Sequence, residues 1–214
     1  MMTPLSLSSA RFYAILDTGY VEDARWESTC SALIHGGADI IQLRAKDKNA
    51  FERKALLARI LPLFTEVNIP LIINDDLELA LSQPRLGLHI GQDDISVQEA
   101  RTALGPQRIL GLSTHSPQQV EQAIALHTKL NYFAVGPVFA TPTKPTYQPV
   151  GLQLVQHVAA LQPPLPWFCI GGIKLDNIDQ VIAAGGQRAV AVSEILKADQ
   201  PKDIIQAYQA KLRP

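Results

Sequence analysis

The chain has 214 residues, 47% of them hydrophobic and 18% charged, which is enough apolar material for a large core and too little charge density for disorder. A formal net charge of -1, with no run of Lys and Arg, supplies no basic field to gather phosphates, so nucleic acid is excluded as a partner. No apolar stretch reaches the about 18–20 residues of a membrane span, and residues 1–10 lack the layout of a signal peptide; no membrane partner is expected, and the cytoplasm is the expected compartment.

Short apolar, β-branched runs alternate with amphipathic stretches, the pattern of repeated βα units around a parallel sheet. The spacing predicts strands over residues 12–16, 39–44, 70–74, 86–91, 109–113, 132–138, 167–173 and 188–193. Between them, Leu57, Ile60, Leu61 and Phe64 share one helical face, as do Val120, Ala123 and Ile124, and Pro201 sits where a first helical turn tolerates it. Gly36-Gly37 and Gly185-Gly186 end helical patterns just before strands two and eight. No linker or low-complexity tract interrupts the series, so one domain over residues 1–214 is expected. Eight units favour a (β/α)₈ barrel over an open doubly wound sheet, and strand one leads into Asp17-Thr18-Gly19 rather than a G-x-G-x-x-G turn. Cys30 and Cys169 show no C-x-x-C or zinc spacing and read as reduced core residues.

Polarity enters the apolar strands at their C-terminal ends, where barrels of this kind carry their sites. Period-two alternation puts Gln42, Arg44 and Lys46 on the inward side of strand two, where an amide and two cations are costly to bury unless an anion meets them. Strand three runs from Leu71-Ile72-Ile73 into Asn74-Asp75-Asp76, and strand four ends in His89-Ile90-Gly91-Gln92-Asp93-Asp94. The acids at these neighbouring ends either cap the following helices or, near Arg44 and Lys46, form a site for a hard divalent ion such as Mg²⁺ shared with phosphate oxygens. Spacing alone does not choose between Asp93 and Asp94. His89 reads as a satisfied barrel-lining histidine. After strand six, residues 140–150 form a long connection that is expected to act as a lid, with Thr141, Thr143 and Lys144 as donors to phosphate. Ile170-Gly171-Gly172-Ile173 and Val192-Ser193-Glu194, at the ends of strands seven and eight, suit the phosphate site common in such barrels.

Taken together, Gln42-Leu43-Arg44-Ala45-Lys46, Ile73-Asn74-Asp75-Asp76, the run at 89–94, Gly111-Leu112-Ser113-Thr114-His115-Ser116, the run at 136–144 and Ile170-Gly171-Gly172-Ile173 resemble the thiamine phosphate synthase family, in order and at family spacing. The resemblance implies a transferase that joins hydroxymethylpyrimidine diphosphate to hydroxyethylthiazole phosphate, releasing pyrophosphate, with Mg²⁺ as cofactor. It implies a pyrophosphate clamp of Arg44, Lys46, Asn74, Ser113 and Lys144, metal ligands Asp75 and Asp94, and Gln42 against the pyrimidine. The thiazole phosphate would meet Thr141, Thr143, Gly171, Gly172, Val192 and Ser193, leaving Arg44, Lys46, Ser113 and Lys144 as the catalytic group. Two other readings are a thiazole tautomerase-like barrel, for which His115 would matter, and a barrel that binds a phosphorylated metabolite without turnover. Cys169, Gly186-Gln187-Arg188 and Ser82-Gln83-Pro84-Arg85 depart from the family pattern at positions expected to bear on packing rather than chemistry.

Overall fold

In the computed structural model, which describes residues 7–141 and 148–213, eight parallel strands close into a barrel in sequence order. They are β1 (Phe12–Asp17), β2 (Ile40–Arg44), β3 (Leu71–Asn74), β4 (Gly87–Ile90), β5 (Leu110–Thr114), β6 (Tyr132–Val135), β7 (Trp167–Cys169) and β8 (Ala189–Ala191). The helices are α1 (Trp26–His35), α2 (Ala50–Ile60), α3 (Leu77–Leu81), α4 (Val97–Leu104), α5 (Pro117–Ala125), α6 (Gly151–Leu161), α7 (Ile178–Ala183), α8 (Ser193–Leu196) and α9 (Pro201–Leu212). Every strand predicted from the sequence is present. Beyond a one-residue difference at β4, three stop early: Pro137 offers no N–H to extend β6, Gly171 and Gly172 turn the chain after β7 with φ of 98° and 64°, and Val192 bends β8 into α8.

Alternation along the strands sorts the apolar residues into two cores. Outward-facing side chains such as Ala14, Ile41, Ile73 and Cys169 pack under the helices, while Tyr13, Ile15, Ile40, Ile72, Ile109, Tyr132, Phe168 and Val190 fill the barrel itself. The tyrosines and Phe168 meet edge to face at 5.6–5.8 Å, a compact aromatic layer inside the barrel. Gly111 is required by this layer, because a Cβ there would lie 2.1 Å from Cζ of Tyr132. Four helices start on side chains that accept from their first free N–H groups, with reciprocal capping boxes at Asn49 and Glu52 and at Ser96 and Glu99.

Two of the departures from the family pattern, Cys169 and Gly186, pack against each other. A Cβ on Gly186 would lie 2.9 Å from Sγ of Cys169, so the larger residue inside β7 occupies the space that the glycine leaves. Burial pushes both thiols up, that of Cys30 to about 12, so both stay protonated. Arg188 serves the N-terminal end of the barrel, where Leu7 and Ala10 close the inner core: its Nε donates to the Ala10 carbonyl at 3.0 Å and its Nη2 to that of Ser8 at 3.0 Å.

Arg188→Ala therefore releases this plug while leaving the opposite end alone. The expected cost is about 2 kcal/mol, from two charge-assisted hydrogen bonds of which one is exposed, or about 4–8 °C in Tm for a domain of this size. Thermal unfolding of the variant tests it; a Tm within a degree of wild type would show that Leu7 and Ala10 hold without the arginine.

Candidate active site

One cavity opens at the C-terminal ends of the strands, and it is lined by Gln42, Arg44, Lys46, Asn74, Asp75, Asp94, Ser113, Thr141, Gly171, Gly172, Val192 and Ser193. Thr143 and Lys144 lie outside the described residues, as does most of the connection at 140–150.

Gln42 and Arg44 on β2, and Lys46 just beyond it, each have a protein partner. Gln42 Nε2 donates to the Tyr13 hydroxyl at 2.6 Å, Arg44 Nη1 to Asp17 at 2.6 Å, and Lys46 Nζ lies 2.7 Å from Asp75. The cations do not by themselves demand a ligand anion, because Asp17 and Asp75 already compensate them. Asp17 was not singled out by the sequence argument, yet the signal was there: it continues the inward series of Tyr13 and Ile15 and is the register partner of Arg44. Its side chain is 2% exposed and also accepts from the Gly19 N–H at 3.0 Å, so the pair is fully bonded at the place where a lone buried charge would be costly. Only one Arg44 nitrogen is used here, which leaves donors of the planar fork for the cavity.

The paired acids after β3 divide the two roles that the sequence left open. Asp76 caps α3, accepting from Leu79 N–H at 2.9 Å, and pairs with Arg53 at 2.8 Å. Asp75, at φ 61°, is turned into the cavity instead, its own N–H held by the His89 carbonyl at 2.9 Å. Such a left-handed conformation costs a non-glycine residue about 1 kcal/mol or more, least for Asp and Asn. Of the acids after β4, Asp94 is the one beside Asp75, and it also accepts from the Gly91 N–H at 2.6 Å. Burial opposes charge on Asp75, but the Lys46 ammonium and a hydrogen bond from Asp94 hold its carboxyl below the usual range. Burial and the facing Asp75 push Asp94 up, against the pull of the Gly91 N–H. Two facing carboxylates that resist joint ionisation are the donor set a hard divalent cation relieves. Among the described residues no group of three or more His, Cys, Asp or Glu is placed to hold a metal, so protein ligation would come from this pair alone.

On the far side, the connections after β6 and β7 run together: Val138 N–H donates to Ile170 at 2.8 Å and Phe139 N–H to Gly171 at 2.9 Å. A Cβ would lie 2.4 Å from Pro137 Cα at Gly171 and 2.5 Å from the Ala140 carbonyl at Gly172. Among the described residues no acceptor meets the Gly171 or Gly172 N–H groups, which leaves both for an anion.

The family profile described as thiamine monophosphate synthase matches residues 12–195, from β1 into α8. A thiamine-phosphate synthase of Acidothermus cellulolyticus is 36% identical over 211 residues, covering 97% of each chain, and one of Thermus thermophilus is 39% identical over 194 residues, covering 91% of this chain and 92% of its own. The chain belongs to the thiamine monophosphate synthase family. It is thus a transferase of thiamine biosynthesis. A solved thiamine phosphate pyrophosphorylase of Pyrococcus furiosus, 24% identical with a TM-score of 0.81 over 94% of this chain and 95% of its own, shares the barrel. For a synthase of this family, the residues that sequence reasoning missed are Asp17 and the tyrosines beneath Gln42, whose aromatic character reads as core.

The split between Asp75 and Asp76 can be checked by stability. Asp76→Ala is expected to cost about 1 kcal/mol through the lost helix cap, whereas Asp75→Asn, which tolerates the same backbone conformation, is expected to stay within about 0.5 kcal/mol of wild type. Urea unfolding of both variants decides; equal losses would make both acids structural.

Proposed function

We propose that this barrel joins a pyrimidine methyl diphosphate to a thiazole monophosphate by a dissociative substitution. The supporting observation is the arrangement of the cavity: a side of paired cations and acids formed by β2, β3 and β4, and a side without acids formed by the connections after β7 and β8, where the Gly171 and Gly172 N–H groups meet no described acceptor and Lys174 also lines the wall. A single-anion sensor needs only one of these. The acid pair also favours a synthase over a tautomerase, which has no leaving pyrophosphate to neutralise.

In this reading the diphosphate lies against Arg44, Lys46, Asn74 and Ser113, and the pyrimidine lies over Gln42. The C–O bond to pyrophosphate breaks, positive charge spreads into the pyrimidine ring, and the thiazole nitrogen lone pair then closes the C–N bond. The Arg44 and Lys46 cations and the Ser113 hydroxyl stabilise charge that grows on the leaving oxygens, and fixed donors already held by Asp17 and Asp75 need little reorganisation to do so. Asp75 and Asp94 would hold Mg²⁺, which when bound supplies further neutralisation of the leaving group. Thr141, Gly171, Gly172, Val192 and Ser193 hold the thiazole phosphate and orient its nitrogen, converting the second bond into a local event. No side-chain nucleophile is required.

The setting we infer is cytoplasmic: both cysteines are buried free thiols, and among the described residues no helix is long and apolar enough to cross a membrane.

Incubation of the protein with both substrates and Mg²⁺ is expected to yield thiamine phosphate and pyrophosphate in equal amounts, read by chromatography; no product would refute the assignment. Asp75→Asn and Asp94→Asn are each expected to lower kcat by about 100-fold or more at saturating metal, in line with loss of a major electrostatic stabiliser. Calorimetric titration should find thiazole phosphate binding unchanged in both, since its anion sits on the other side. Full turnover in either variant would reduce the acids to partners of Lys46 and Gly91.

A further inference from the structure

Five buried polar side chains run in one hydrogen-bonded chain across the floor of the cavity, from Gln42 on β2 through Tyr13 on β1, Tyr132 on β6 and His89 on β4 to Ser113 on β5. Successive separations are 2.6, 2.9, 2.9 and 2.8 Å. Its two ends are the residues that meet the two halves of the diphosphate substrate in the reading above. The chain crosses the barrel instead of following its wall, and it does so because Gly111, the register partner of both His89 and Tyr132, leaves room for the Tyr132 ring to stack on the imidazole at 5.5 Å between centroids.

We propose that this chain has a fixed direction, from Gln42 to Ser113, which holds His89 as the neutral Nε2–H tautomer and makes Ser113 a donor to the bound anion. The inference deepens the synthase reading and rests on it for the nature of the ligand. The direction follows from counting hydrogens. An amide nitrogen can only donate, so the Tyr13 oxygen accepts from Gln42 and its single O–H is spent on Tyr132. The Tyr132 oxygen, having accepted, donates to His89 Nδ1, which must therefore be bare. A neutral imidazole has one N–H, now at Nε2, and it donates to Ser113 Oγ. The serine proton is left for the cavity. Burial pushes both phenols well above their ordinary range, so each keeps the proton that this sequence requires.

Turning the Gln42 amide over would reverse every link. Gln42 Oε1 would accept from Tyr13, Tyr13 from Tyr132, Tyr132 from His89 Nδ1–H, and the serine proton would go to His89 Nε2. Ser113 would then face a diphosphate with lone pairs alone, which repel it. Only one direction suits an anion, and the same direction leaves Gln42 Oε1, which no described donor reaches, as the acceptor for a hydrogen-bond donor on the ring. Tyr13, Tyr132 and His89 are thus positioning residues that tie ring recognition to anion recognition.

Nitrogen-15 NMR of the histidine-labelled wild-type protein reads the tautomer directly. The expected result is a protonated Nε2 and a bare Nδ1 at His89. In Tyr132→Phe, which keeps the ring and removes the joint, the His89 nitrogens should shift toward a mixture of tautomers. KM for the pyrimidine diphosphate should rise about tenfold, the worth of one hydrogen bond to a charged group, with KM for the thiazole phosphate within about twofold, a change smaller than one neutral hydrogen bond. A tyrosine acting only as packing would move Tm and leave the nitrogen shifts and the KM split alone. Should Tyr132→Phe fail to fold, Tyr13→Phe cuts the chain one link earlier and carries the same expectations. An Nδ1–H tautomer in the wild type overturns the direction; unmoved His89 shifts with an unmoved KM in a folded variant overturn the coupling. Failure of the synthase reading would appear separately, as wild-type protein without product, because the tautomer measurement needs no turnover.

Discussion

In a closed parallel barrel every second residue of each strand must point at the axis, and there is no edge through which an unsuitable side chain can escape. Along β2 the inward series is Ile40, Gln42, Arg44; along β3 it is Ile72, Asn74; along β5 it is Ile109, Gly111, Ser113. Along β2, two residues of travel separate hydrocarbon from the polar floor, and two more reach charge. The hydrophobic layer fixes the register of all eight strands, and the register in turn fixes which polar groups face one another. Asp17 meets Arg44 because Tyr13 meets Ile40 in the same ladder.

That constraint explains how much could be read in advance. Period-two alternation is a local property, so the inward placement of Gln42, Arg44 and Lys46 was legible from a few residues, as were the number of strands and the polar turns that follow them. What lay beyond reach was pairing across the barrel. Nothing near Tyr13 in sequence says that its hydroxyl will sit between Gln42 and Tyr132, since that depends on a glycine in β5 and on closure between β8 and β1. Strand ends were also misjudged where backbone geometry overrode side-chain pattern: Val138 and Ile173 are buried and apolar, yet Pro137 and the glycines at 171 and 172 had already ended the regular ladder. Thr143 and Lys144, expected from the sequence to lie in a lid, are outside the described residues.

The electrostatics of the site follow a similar economy. A buried cation left to wait for its ligand would raise the free energy of the empty protein, whereas one already paired keeps its position and offers its remaining donors. Asp17 does this for Arg44 deep in the cavity, and Asp75 does it for Lys46 nearer the surface, where the lysine side chain is 53% exposed. The two pairs are not equivalent. Asp17 is locked by Gly19 and serves Arg44 alone, while Asp75 divides its charge between Lys46 and the facing Asp94.

The opposite side of the cavity holds its shape by different means, because a phosphate bound through backbone N–H groups depends on where the backbone runs. Gly171 and Gly172 lie so close to Pro137 and Ala140 that no side chain fits between, and the bonds from Val138 and Phe139 continue the sheet past the ends of its strands. Glu194, just beyond Ser193, accepts from Leu175 N–H at 3.2 Å and from the Tyr208 hydroxyl, while that hydroxyl lies within reach of the Ile173 carbonyl at 3.1 Å. The turn after β7 is therefore tied to the turn after β8 and to the last helix, α9. With the glycine amides fixed in this way and the polar floor fixed by its own hydrogen-bonded chain, the distance between the two proposed anion positions is set by the rigid barrel beneath them. In the proposed reaction, where a ring nitrogen must reach a carbon that has lost pyrophosphate, that distance matters more than any single contact.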